Sequence, residues 1–333
     1  CVTNGNPALI RLYKSLGWGL HANTPGDVHL GFLSGMRGED IVFSGSNLTN
    51  AEIKYMIDNR VATLNLDSLS QLQSFCLVFK EMAADAQLNG TEPPEKPRLG
   101  FRLNLPEITG SSRIGLSPEM LGQAVDFAGK YGHEIVGVHF YRGTGTNANE
   151  RYNESIERIL EIAQTLPDLA YVDFGGGFGF QYNSSLRGFN WQEFGKILSS
   201  KIENLARPID LIIEPGRSAI ASAGILLASV VSCKFQDDRQ IVGVDTSVSN
   251  LAVLSVHGGY REVISASCNN ATKAAAPSLD KSKLLDKASG LDLAGAAAMA
   301  LDRKIVSKNL RLYDSDVSGN TTFSRDYYSS PVI

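Results

Sequence analysis

The sequence contains no uninterrupted run of eighteen apolar residues, the length a helix needs to cross a bilayer. No signal-peptide pattern opens it, and a cytoplasmic location is expected. It has only four cysteines, Cys1, Cys76, Cys233 and Cys268, at spacings that match no metal motif. Free buried thiols are the expectation. Its five histidines form no HExxH or similar pair, so no metal site is expected. A formal net charge of −4 over 333 residues leaves no basic stripe for a nucleic acid. There are no internal repeats, and no GxGxxG follows an early strand, which argues against a dinucleotide-binding sheet.

What is there is an alternation. Apolar, β-branched or aromatic runs ending in polar or glycine residues occur at Gly17–Ala22, Ile41–Ser46, Ala62–Ser68, Arg98–Asn104, Glu134–Tyr141, Ala170–Gly175 and Asp210–Glu214. Amphipathic segments lie between them, among them Pro118–Tyr131 and Ser155–Leu166. Strands alternating with helices predict a parallel sheet with crossover connections. An eighth strand at or just before Cys1–Val2 would close a (β/α)8 barrel, with its chemistry at the C-terminal strand ends. An open doubly wound sheet is the alternative. After Arg217 the pattern changes. Ile225–Cys233 and Gln240–Asp245 read as strands without regular helices between them, and Asn269–Leu301 reads as exposed helix or loop. The expected fold is a (β/α)8 barrel over residues 1–218, followed by a smaller, mainly β domain over 219–333.

Three strand-end motifs carry the chemistry. Asp173-Phe174-Gly175-Gly176-Gly177-Phe178-Gly179 places three glycines after a buried strand, where backbone N–H groups can face an anion. Alone, such a run is evenly split between a ligand loop and a tight turn. Glu214-Pro215-Gly216-Arg217 ends the last of these strands. A carboxylate there needs a partner, and Arg217 supplies a forked cation suited to phosphate. Barrels often bind phosphate in their last two loops, so the two motifs together point to a phosphate. His139-Phe140-Tyr141-Arg142-Gly143-Thr144-Gly145 offers an aromatic ring for stacking and further phosphate donors. Taken alone, His139 reads as a satisfied core histidine.

In this order and spacing, GGGFG, EPGR and HFYRGTG resemble the fold-III pyridoxal-phosphate-dependent decarboxylases that act on ornithine, diaminopimelate and arginine. The family's first barrel strand carries a motif like A-V-K-A-N-S-N-P-A-L-L, whose lysine takes the cofactor as a Schiff base. Cys1-Val2 and Thr3-Asn4-Gly5-Asn6-Pro7-Ala8-Leu9 match its two flanks, and no lysine stands between Val2 and Thr3. A gapless register puts Val2 at the lysine position and matches less well on its N-terminal side. Either a cofactor-modified lysine between Val2 and Thr3 is not represented as a standard residue, the reading favoured by the match of both flanks, or the lysine is lost and the chain is a pseudoenzyme.

The resemblance implies roles residue by residue. Glu214 would pair with the pyridine nitrogen of pyridoxal 5'-phosphate. Gly175, Gly176, Gly177, Gly216 and Arg217 would hold the phosphate, with Thr144 in place of a phosphate-binding serine. Tyr141 stands where the family has the histidine that stacks on the ring. His21 replaces an acidic residue after the second barrel strand, and Asp27 matches a nearby glutamate. Ser318, within Asp316–Thr322, falls where the family has the cysteine that acts as acid in the partner subunit's site. Asp245 aligns with an acidic residue at the start of the β domain, and His257 with a substrate-amine carboxylate. The implied protein is a carboxy-lyase of polyamine or lysine biosynthesis that takes a small amino acid such as ornithine, lysine, diaminopimelate or a derivative. It would be a homodimer with shared active sites. An amino-acid racemase on the same barrel and an inactive, decarboxylase-like regulatory protein are the competing readings. Borohydride reduction followed by mass spectrometry of the N-terminal peptide tests the lysine: a reduced pyridoxyl adduct between Val2 and Thr3 is expected, and its absence together with the lysine's leaves the pseudoenzyme reading.

Overall fold

A computed structural model describes residues 3–143, 149–182, 187–236, 239–252, 263, 315–318 and 327–332. Two compact units emerge: Cys1–Gln181 with Arg187–Ala221, and Tyr182–Leu186 with Ser222–Ile333.

The first unit is built on seven strands: β1 (Leu20–Ala22), β2 (Ile41–Phe43), β3 (Thr63–Leu66), β4 (Arg98–Arg102), β5 (Ile135–His139), β6 (Tyr171–Asp173) and β7 (Asp210–Ile212). All neighbours are parallel, and their order in the sheet is their order in the chain. A doubly wound sheet reverses its strand order part-way; this sheet does not, as the wall of a (β/α)8 barrel requires. Each expected strand is present but shorter, because pairing ends where the chain turns into the loops that carry the motifs. The eighth strand expected at Cys1–Val2 lies outside the described residues.

Helices connect the strands: α1 (Pro7–Ser15), α2 (Pro25–Leu33), α3 (Asn50–Asp58), α4 (Leu69–Asn89), α5 (Pro106–Thr109), α6 (Leu121–Lys130), α7 (Asn149–Ala163), α8 (Trp191–Ile202) and α9 (Arg217–Ile220). Their starts are written locally. Asn6, Thr24, Thr49, Ser68 and Asn190 each accept a backbone N–H at an N-cap, satisfying donors that the first turn leaves open. In α7, Tyr152, Ile156, Ile159, Leu160 and Ala163 fall on one buried face, as a 3.6-residue period dictates.

Register explains which residues meet inside the sheet. Successive strand residues alternate faces. Leu64, Leu66, Leu99, Phe101, Val138 and Val172 are buried in the apolar core. The alternate residues form cross-strand rows. Asn65, Gly100, Gly137 and Tyr171 pair in one row, and Arg102, His139 and Asp173 in the next toward the C-terminal ends. The first row fits because two of its members are glycines: a Cβ at Gly100 or Gly137 would run into Tyr171. The Tyr171 hydroxyl donates to Asn65 Oδ1 at 2.6 Å. At the opposite ends of the strands, Arg98 pairs with Asp210 at 2.6 Å and its Nε donates to Thr63 at 3.1 Å.

In the second unit, β8 (Val230–Gln236), β9 (Arg239–Val244), β10 (Ser315–Ser318) and β11 (Tyr327–Val332) form a sheet of order β11-β10-β9-β8. The strand expected at Ile225–Cys233 begins instead at Val230 and runs on to Gln236. Val230 pairs with Val244, the last residue of β9, so among the described residues no strand pairs with those before Val230. The expectation of buried thiols also needs correction. Cys76 is free and buried, but Cys233 is free and exposed, because β8 is exposed along its whole length. Asn269–Leu301 lies outside the described residues.

Gly137→Ala is expected to destabilise the protein by about 1–3 kcal/mol through overpacking against Tyr171. Gly129→Ala, in α6 with open space around it, is expected to stabilise it by about 0.5–1 kcal/mol. Urea denaturation of the two variants reads both signs.

Candidate active site

Three strand-end loops meet at the C-terminal edge of the sheet, and their backbones touch. Gly175 (φ +61°) and Gly177 (φ +90°) adopt the left-handed conformation that side chains disfavour. A Cβ at Gly175 would strike the Phe140 carbonyl, and one at Gly177 the Gly143 carbonyl. At Gly176 it would lie 2.7 Å from the Glu214 carbonyl oxygen, and at Gly216 it would run into the Thr3 hydroxyl. The Tyr152 hydroxyl, buried on α7, donates to the Gly176 carbonyl at 2.8 Å, and the Glu214 amide donates to the Gly175 carbonyl at 2.8 Å. The triple glycine is therefore a cradle walled by backbone from the loops after β5 and β7.

Beside it lies a buried polar cluster. Glu214, just after β7, has its side chain 8% exposed, and its Oε1 lies 3.1 Å from His21 Nε2 and 3.6 Å from His139 Nε2. Neither approach has hydrogen-bond alignment: Glu214 Oε1 and both ring nitrogens of His139 are buried without hydrogen-bond partners. The expectation of a satisfied core histidine at position 139 is therefore corrected. Its strand-end position brings the ring among charged groups rather than against a carbonyl. Asp173, fully buried at the end of β6, accepts from the Gly175 amide at 2.9 Å and from Asn65 Nδ2 at 3.4 Å.

Burial dominates the electrostatics. It pushes the Glu214 carboxyl up to about 7, although a hydrogen bond from Asp173 and the nearby Arg102 charge pull the other way. Asp173 is raised well above the usual carboxylate range, first by burial and then by Glu214. Burial lowers His139 to about 4 and lowers His21 as well, each next to the other's ring, so both imidazoles are neutral. Arg102 stands over the Tyr141 ring at 5.4 Å.

The structure brings together Glu214, His21, Gly175, Gly176, Gly177 and Gly216. Arg217 opens α9 immediately after Gly216 and forms no ion pair among the described residues. Asp27 caps α2, accepting the Asn23 and Thr24 amides. Asp245, in the second unit, accepts the Ser229 amide at 2.7 Å. Ser318 ends β10. Thr144, His257 and the segment around Val2 lie outside the described residues. Sequence reasoning missed Arg102, Asp173, Asn65 and Tyr152 as parts of the site. Arg102 and Asp173 carried a signal, since each is a charged residue closing an otherwise apolar strand.

Residues 2–221 match the family model described as "Pyridoxal-dependent decarboxylase, pyridoxal binding domain". The chain belongs to this family. It is 27% identical over 277 residues to the diaminopimelate decarboxylase of Aquifex aeolicus and 28% identical over 289 residues to that of Methanothermobacter thermautotrophicus. Those alignments cover 78% and 79% of this chain, and the chain spans only 63% of each relative. Among solved structures, diaminopimelate decarboxylase from M. jannaschii in complex with L-lysine superposes with a TM-score of 0.77 at 21% identity. That match covers 99% of this chain and 69% of the other. Lysine/ornithine decarboxylase from Vibrio vulnificus, complexed with cadaverine, gives 0.72 at 18% identity, covering 98% and 73%. These structures share the fold. No helix among the described residues is long and apolar enough to cross a membrane.

The cofactor of such a domain is pyridoxal phosphate, and the residues present suit two of its ends. The glycine cradle, which any Cβ would fill, and Arg217 suit the phosphate. Glu214 Oε1, buried and without a donor, suits a protonated ring nitrogen. The covalent anchor has no residue between Val2 and Thr3.

The raised Glu214 carboxyl has a pH signature. Its contribution to stability is present below the ordinary carboxylate value of 4.5 and is lost as pH rises through about 7. Glu214→Gln removes that loss, so its stability relative to wild type should be more favourable at pH 8 than at pH 5 by up to about 3 kcal/mol. Urea denaturation of the cofactor-free proteins at the two pH values measures this; an equal difference at both would mean that Glu214 titrates normally.

Proposed function

We propose that the chain acts as a pyridoxal-phosphate-dependent decarboxylase that removes the α-carboxylate of a diamino acid of the diaminopimelate, lysine or ornithine class. The observation that carries this reading is the convergence of a buried carboxylate, Glu214, with a backbone-walled glycine cradle at the C-terminal edge of a parallel sheet. Both curated relatives named above carry the name diaminopimelate decarboxylase.

Bound pyridoxal phosphate supplies an electron sink for the electron pair left behind when CO2 departs. The chain's own residues set the conditions. Glu214 would pair with the ring nitrogen and favour its protonated form by its negative charge. Asp173 would support that charge through its hydrogen bond to Glu214. Amides of Gly175, Gly176, Gly177 and Gly216, with the Arg217 guanidinium, would hold the phosphate. Tyr141, whose ring lies against Arg102, would stack on the cofactor. Thr144 adds a phosphate donor. Ser318 stands in for the acid that returns a proton to the α-carbon, and Asp245 and His257 serve the distal end of the substrate. A cytoplasmic homodimer with shared active sites completes the reading, the partner supplying Ser318.

One specific observation favours a second reading, an inactive regulatory relative: the sequence has no lysine between Val2 and Thr3. Reconstitution with pyridoxal phosphate separates the two. For the decarboxylase, CO2 release is expected from at least one of meso-diaminopimelate, lysine and ornithine, and Glu214→Gln lowers kcat by about 100-fold or more. Arg217→Ala is expected to weaken cofactor binding about tenfold to a hundredfold. Cofactor uptake without CO2 release supports the regulatory relative, and failure to bind the cofactor overturns both.

A further inference from the structure

Tyr152 lies on the buried face of α7, 2% exposed, and its hydroxyl donates to the Gly176 carbonyl at 2.8 Å. Burial pushes the phenol's pKa above its ordinary value, so the group stays a donor. The carbonyl and the following N–H of a trans peptide point in opposite directions. A Gly176 carbonyl turned toward α7 therefore turns the Gly177 amide away from it. The Glu214 amide does the same one residue earlier: it holds the Gly175 carbonyl at 2.8 Å and so directs the Gly176 amide. A run of glycines needs such anchors, because nothing in its own side chains restricts the backbone.

The ring that carries this hydroxyl is itself fixed. Phe178, the residue after the triple glycine, stacks on it at 4.8 Å with the planes 7° apart. Phe189 and Phe194 meet it edge-on at 5.3 Å and 5.7 Å. The Arg142 guanidinium lies 5.7 Å from the ring centre. Asn149, the first residue of α7, donates from Nδ2 to the Asn190 carbonyl at 2.7 Å and accepts the Asn190 amide at 2.9 Å. Asn190 in turn caps α8, so the starts of the two helices are tied together beside the ring. Packed in this way, the hydroxyl has little freedom to choose another acceptor.

We propose that Tyr152 is a positioning residue for the phosphate of the bound cofactor: its hydroxyl holds the Gly176–Gly177 peptide in the orientation that presents the Gly177 amide to the anion. This role rests on the pyridoxal-phosphate reading and adds to it a residue that acts through the loop. Without the hydroxyl, the Gly176 carbonyl loses its buried partner, and the peptide is free to turn over. A turned peptide sets a carbonyl oxygen against the phosphate where an N–H stood, exchanging attraction for repulsion. The effect belongs to the phosphate end alone, because Tyr152 makes no hydrogen bond to Glu214, which serves the ring nitrogen.

The test uses the full chain with pyridoxine 5'-phosphate and pyridoxine, which lack the aldehyde and so report the cradle without a covalent anchor. Calorimetry reads the affinity of the first, and competition against it reads that of the second. Tyr152→Phe keeps the ring stack and removes only the hydroxyl. It should weaken pyridoxine 5'-phosphate binding by about tenfold and leave the pyridoxine affinity within about twofold of wild type. Equal losses for both ligands would make the hydroxyl a structural contact alone and overturn the proposal. In the wild-type chain, where no variant need fold, pyridoxine 5'-phosphate should slow hydrogen exchange at the Gly177 amide and pyridoxine should not. A Gly177 amide that the phosphate leaves unprotected also overturns it. Failure of the wild-type chain to bind pyridoxine 5'-phosphate sinks the pyridoxal reading and this role together. Binding by the wild-type chain with the same affinity in Tyr152→Phe sinks the role of Tyr152 alone.

Discussion

The constraint on which this end of the molecule depends is the burial of Glu214. A carboxyl group almost out of water at the end of a strand is held there only if something answers its charge. The surroundings offer several partial answers. Asp173 gives it a hydrogen bond, Arg102 a distant positive charge, and His21 and His139 close but unaligned nitrogens. None of them saturates Oε1. The result is a carboxyl poised near neutral pH rather than a settled ion pair, which is the condition of a binding residue more than of a structural one.

The sheet makes this possible through its two faces. Its outward residues are the apolar ones that seal against the helices, and they contribute most of the driving force for folding. The inward rows are small or polar. Gly100 and Gly137 let Tyr171 lie across the sheet, and Tyr171 in turn fixes Asn65, which reaches Asp173. A chain of hydrogen bonds therefore runs from the middle of the sheet to the carboxyl pair. The orientation of Asp173, and with it the charge on Glu214, is set by packing one row below. The same logic orders the glycine loop: Tyr152 on α7 pins the Gly176 carbonyl from behind, leaving the other side of the loop to a ligand.

Much of this was legible in the sequence, for physical reasons. Strands of a barrel wall, sealed by helices on the outer face and filled by side chains on the inner one, read as short apolar runs, and all seven expected in the first unit are there. The glycines of the cradle announced themselves because only glycine tolerates φ values of +61° and +90° so close to neighbouring carbonyls. The start of β8 was misplaced because hydrophobicity marks Ile225–Ser229 as well as Val230–Cys233, whereas pairing with β9 decides where the strand begins. The cluster around Glu214 was not legible at all. His21, His139 and Glu214 sit on β1, β5 and the end of β7, and only closure of the sheet brings them together. A search for paired histidines along the chain sees local spacing and misses side chains that tertiary structure brings together.

His21 shows what that proximity changes. An acidic residue at this position would add a second negative charge near Glu214 and raise its carboxyl further. A neutral imidazole adds no charge and brings a nitrogen lone pair instead. The substitution therefore leaves Glu214 able to answer a protonated pyridine nitrogen, with its carboxyl raised by burial rather than by a second acidic neighbour on β1.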